Sequence, residues 1–151
     1  MALKDKINND LKAALLGGNR FSGEVLRNLK AAILNEEVAK KKREEGLGDI
    51  EIEQVIAREV KKRNESAVIY ENAGRIDLAE NERNEAKVLS GYLPEQLSEE
   101  DINIVVNRTI DEIGAKNMSA MGQVIGAVKN ELGNAADGSI VARLVKEALS
   151  Q

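Results

Sequence analysis

The sequence predicts an all-α fold, and three observations carry that prediction. Alanine, leucine, glutamate, lysine and arginine, the better helix formers, dominate the composition. Apolar residues recur three and four positions apart along most of the chain. No segment alternates apolar and polar residues over six positions between turn signals, as a half-buried strand would. The expected architecture is an N-terminal long-helix bundle over residues 1–94, followed by a small three-helix C-terminal domain over 95–151.

The first helix is expected in "LKDKINNDLKAALL", where Leu3, Ile7, Leu11 and Leu15 fall four apart as one stripe and Gly17-Gly18 supplies a stop. Ser22 is the expected N-cap of a second helix. Val25, Leu26, Leu29, Ala32 and Ile33 form its apolar face, running toward Val38. "GLGD" breaks the chain, and Asp49 is the expected cap of a third helix carrying Ile52, Val55, Ile56, Val60, Ala67 and Tyr70 up to Gly74. Asp77 and Glu80 have the spacing of a capping box for a fourth, sparsely apolar helix that Gly91 and the approach to Pro94 end.

Pro94 is the chain's single proline and marks the expected joint between the two parts, because it fixes its own φ and removes a donor. Tyr92 is expected to pack at that joint. Beyond it, Ser98 with Asp101 opens a fifth helix that Gly114 stops. A sixth runs from about Met118 through Leu132, and a seventh follows Asp137-Gly138. In "MGQVIG", Gly122 and Gly126 stand one turn apart, and the expectation is close approach of a neighbouring helix.

Composition narrows the chemistry. The chain has 151 residues, apolar residues make up 42% and aromatics only 2%, so the core must be aliphatic. With no cysteine and no histidine, disulfides, thiolate nucleophiles, the usual zinc sites and histidine acid–base couples are excluded. No phosphate-cradling loop with its lysine is present, and no catalytic residue, metal ligand or cofactor is expected. The absence of an 18-residue apolar run argues against a spanning helix, and the expectation is a soluble cytoplasmic protein.

Charge is uneven. Residues 1–94 balance 17 basic against 17 acidic side chains, whereas residues 95–151 carry 5 basic and 9 acidic. The concentrated positive charge lies in "KKKR" (Lys40, Lys41, Lys42, Arg43) and "KKR" (Lys61, Lys62, Arg63). The first run is expected in the last turns of its helix, where cations favour the macrodipole. The second lies about 18 Å past the turn between helices two and three, too far to form one tight patch with the first. As solvated faces these runs need no function; as phosphate contacts they require a steep salt dependence. Carboxylates at Glu80, Glu82 and Glu85 are read as a solvated face.

The residues also carry a resemblance. "EVKKRNESAVIYENAGRIDLAENERNEAKVLSGYLPEQLSEED" (residues 59–101), "MGQVIGAVKNELGNAADGSIVARLVKEAL", "LKDKINNDLKAAL" and "VLRNLKAAI" together resemble the YqeY-like proteins over essentially the whole chain. That family is related to the C-terminal tail of the B subunit of the amidotransferase acting on misacylated tRNA. The resemblance implies an N-terminal helical domain, a smaller three-helix domain, and a partner that is tRNA or a tRNA-charging or amidating enzyme. It implies no glutaminase or acid-activating chemistry in the chain, because neither lies in the tail; carbon–nitrogen ligase activity would belong to the larger enzyme.

The sequence departs from the family pattern in one place. Where the loop before "ADG" is expected to be basic, Glu131, Gly133 and Ala135 stand instead, leaving Lys129. The candidate RNA contacts are therefore Lys40–Arg43, Lys61–Arg63, Arg75, Lys129, Arg143 and Lys146. A second reading is a protein–protein adaptor that docks through apolar helix positions off the main stripe, such as Leu34 and Val38.

Overall fold

The computed structural model describes residues 2–151. Among them are seven α-helices and no strand: α1 (Leu3–Leu16), α2 (Arg20–Ala39), α3 (Asp49–Asn72), α4 (Ile76–Ser90), α5 (Glu99–Ile113), α6 (Met121–Leu132) and α7 (Gly138–Leu149). Short 3₁₀ turns occupy Met118–Ala120 and Gly133–Ala135. The all-α expectation holds. The chain divides into two compact units at Leu93–Pro94, with α1–α4 in the first and α5–α7 in the second.

In the first unit, α1 packs on α2 and α3, α2 on α3 and α4, and α3 lies along α4. Ile7, Leu29, Ile52, Ile56 and Leu89, all essentially inaccessible, meet in its core. Where α3 passes beyond Val60, its apolar positions thin out, and buried Ala67 on α3 and Ala79 and Ala86 on α4 take over. Small side chains suit closely spaced helices, and ion pairs supplement them: Arg63 with Glu85, and Arg83 with Glu71.

Several caps differ from expectation. Asn19 caps α2, its side chain accepting from the Ser22 N–H at 3.1 Å, so Ser22 lies inside the first turn. The N-cap of α3 is Gly48, and Asp49 turns away to accept the Leu3 N–H of α1 at 2.9 Å, joining two helix starts. At α4 the cap is Arg75 without a side-chain bond, so Asp77 sits inside the first turn and not at the cap that a capping box with Glu80 requires. Gly74, with φ of +77°, takes the left-handed turn between α3 and α4 that a Cβ would strain.

The α2 stripe also departs from its reading. Buried positions run Leu26, Leu29, Ile33 and then Glu37, while Val38 is 55% exposed. The residue four past Ile33 occupies the core-facing row whatever its chemistry, and here it is a carboxylate. Tyr92, expected at the joint, packs against the first unit's core. Its hydroxyl donates to Asp10 at 2.5 Å and the Lys6 ammonium lies 5.5 Å from the ring centroid. Burial first, then the Asp10 carboxylate, push the phenol well above its ordinary range.

The second unit follows its sequence more closely. Ser98 accepts the Asp101 N–H at 3.1 Å to cap α5, and Gly114 ends it in the left-handed conformation. Asp137 caps α7 through the Ser139 N–H at 2.7 Å. Ile102, Val106, Val124, Val128, Val141 and Val145 fill the core between the three helices. Gly122 and Gly126, however, are exposed and, among the described residues, nothing lies within 4 Å of where their Cβ atoms would stand, so the expected close helix contact is not made there.

Candidate nucleic-acid interface

Phosphate recognition needs cations that are exposed and not already committed to carboxylates. The eleven candidate residues divide on that criterion. The α2 helix ends at Ala39, so Lys40 is its C-cap and Lys41–Arg43 lie in the following turn, not in the last turns of the helix. Lys41 adopts a φ of +58°, a left-handed turn that a non-glycine residue occupies at some cost.

Within that turn, Glu51 of α3 gathers two of the four cations. The Lys40 ammonium lies 3.4 Å from its carboxylate and that of Lys42 at 3.3 Å. Burial draws the Glu51 carboxyl upward, but the Gly48 N–H, Lys42 and Lys40 outweigh it and hold the group below its ordinary range. Lys40 also pairs with Glu36 at 3.5 Å. Lys41 and Arg43 are exposed, make no ion pair among the described residues, and line a 370 Å³ hollow with Val38, Glu44 and Glu45.

Beneath the turn lies Glu37, which the sequence reading did not single out. It is 3% exposed; Lys4 donates to it at 2.8 Å and the buried Leu47 N–H at 3.0 Å. Lys4 foremost, then the Leu47 N–H, keep the carboxyl low against the upward pull of burial. Gly46, at φ of +76°, leaves this cluster its room, since a Cβ there would stand 3.3 Å from both Glu37 and Lys4. Its signal in the sequence was available: a charged residue at the next turn of an apolar stripe, followed nine positions on by glycine.

The second basic run splits likewise. Lys61 and Lys62 are exposed on α3 with no ion pair among the described residues. Arg63 is turned inward, its side chain 12% exposed, donating to the Glu59 carbonyl and carboxylate and standing 3.5 Å from Glu85. Burial raises the Glu85 carboxyl, and Arg63 only partly offsets that. Arg63 thus clamps α3 to α4. Lys61 follows Glu51 by ten residues, about 15 Å along α3, so the two runs stay separate.

Of the remaining candidates, Arg75 stands 3.5 Å from Asp77. Arg143 of α7 pairs with Glu99 and, at 3.2 Å, Glu147, which push its already high pKa upward. Lys129 and Lys146 are exposed in the second unit, the Lys129 stem passing beside Gly138. No group of three or more Asp or Glu converges as metal ligands among the described residues, and none of their helices is long and apolar enough to cross a membrane.

Comparison with known proteins gives the lineage. The family described as Yqey-like protein matches residues 4–149. A protein of Pyrenophora tritici-repentis named altered inheritance of mitochondria protein 41, mitochondrial, is 28% identical over 149 residues, covering 95% of this chain and 79% of the relative. Its namesake in Clavispora lusitaniae is 27% identical over 135 residues, covering 87% of this chain and 76% of that protein. The match spans α1 to the end of α7, both units together, and the chain belongs to the YqeY-like family.

Proposed function

We propose that this protein is a non-catalytic accessory of tRNA charging or amidation, and that it meets RNA through the uncommitted cations of its first unit. The observation that carries this reading is the division just described. Lys41, Arg43, Lys61 and Lys62 are exposed with no carboxylate partner among the described residues, while Lys40, Lys42, Arg63, Arg75 and Arg143 are already paired. The second unit, with 5 basic and 9 acidic residues in 95–151, repels a phosphate backbone more than it attracts one. Family membership supports the tRNA connection, through the kinship with the amidotransferase tail.

The compartment proposed is the cytoplasm; the fungal relatives are mitochondrial by name, a compartment that also holds tRNA. Filter binding to total tRNA at low and moderate salt tests the reading. Four phosphate contacts give a log–log salt slope of about −3 to −4. Binding undetectable at low salt, or insensitive to salt, overturns it. The binding should also weaken on Lys61→Glu with Lys62→Glu.

A further inference from the structure

Helix α2 carries a second apolar row that the first unit leaves uncovered. Ala31, Leu34 and Val38 are all exposed, Leu34 by 43% and Val38 by 55%. They recur at i, i+3 and i+7, a span of about 10 Å. Leu34 and Ala31 form one wall of a 280 Å³ groove between α1 and α2, whose floor is Ile7 and Ile33. Val38 continues the row into the neighbouring hollow with Lys41 and Arg43.

Charge says what would fill it. Arg27 and Lys30 lie on the same side of α2 as the row, one turn before Ala31 and Leu34, and both are exposed without an ion pair among the described residues. With Lys41 and Arg43 at the other end they outnumber Glu44 and Glu45, while Lys4 and Glu37 neutralise each other.

We propose that the α1–α2 groove docks an acidic amphipathic helix of a protein partner. Two packed helices present a furrow that a third helix fills with side chains at matching spacing. The apolar edge of the incoming helix covers Ala31, Leu34 and Val38, and its flanking carboxylates meet Arg27, Lys30, Lys41 and Arg43. A second copy of this chain, offering the same face, would bring like charges together.

Fluorescence anisotropy with the full chain tests this. The probe is a labelled peptide of about 18 residues, with leucines at i, i+3, i+7 and glutamates on both flanks; controls replace glutamate by lysine or scramble the order. The acidic peptide should bind saturably, at least about tenfold tighter than either control. Leu34→Asp with Val38→Asp should weaken it by about tenfold with helicity by circular dichroism unchanged. Arg27→Glu with Lys30→Glu, both exposed, should reverse the preference toward the lysine peptide, and this decides the matter should the first variant unfold. Lys61→Glu with Lys62→Glu should leave peptide affinity intact, which separates this result from failure of RNA binding. Equal affinity for acidic and basic peptides, absence of saturable binding, or a dimer in sedimentation velocity that Leu34→Asp abolishes would each overturn the proposal.

Discussion

The two units use charge differently. In the first, carboxylates are structural: Glu37 is buried beneath the α2–α3 turn, Glu51 ties Lys40 and Lys42 to the start of α3, and Glu85 with Arg63 joins α3 to α4. In the second, the ion pairs Arg108–Glu131 and Arg143–Glu99 sit on the surface, with side chains about half exposed, over a core of valine, leucine and isoleucine. The balanced half spends many of its cations holding itself together, so residue counts overstate the positive charge it can offer a ligand. What remains for binding has to be found from the pairs.

This contrast can be broken or sharpened by mutation. The largest effect is expected in the first core, where Ile56 is fully buried. Ile56→Ala should destabilise by about 2–5 kcal/mol, measured by urea unfolding. Glu37→Ala comes next, at about 1–3 kcal/mol, because it strands the buried Leu47 N–H; Glu37→Gln, keeping an acceptor, should cost less.

Acid acts in the same place. Glu37 and Glu51 have folded-state pKa values below the ordinary 4.5, so their contribution is present above that value and lost as pH falls through the lower folded one. Glu85 runs the other way: its raised pKa means that protonation on acidification relieves a cost. With four lowered carboxyls in the first unit, Glu36, Glu37, Glu51 and Asp77, against one raised, amides of α2 and α3 should lose hydrogen-exchange protection at a higher pH than those of α5–α7. Equal acid sensitivity in both units would erase the contrast drawn here.

Smaller effects belong to the second unit. Ser98→Ala should cost about 1 kcal/mol by removing the α5 cap. Arg143→Ala should leave thermal unfolding unchanged within error, since its partners are exposed.

What was legible in the sequence followed from local rules. Helix periodicity placed all seven helices, and Ser98 and Gly114 acted as read, because a cap or stop depends on residues within one turn. The errors arose where a distant group competed. Asp49 abandoned its own helix for the Leu3 N–H, 46 residues away, and Tyr92 found Asp10, 82 residues away. Gly122 and Gly126 had the spacing of a close contact but lie on the outward side of α6. The basic runs were visible as runs; which lysines were already taken depended on carboxylates on other helices, such as Glu51 and Glu85.

Whether uncommitted charge on the first unit is where nucleic acid is met can be put to one titration. Total tRNA is bound to three proteins: the parent chain, Lys61→Glu with Lys62→Glu, and Lys129→Glu with Lys146→Glu. At least about a tenfold loss and a salt slope shallower by about 2 are expected for the first pair of reversals, with little change for the second. A larger loss from the Lys129 and Lys146 reversals, or none from those at Lys61 and Lys62, would contradict it.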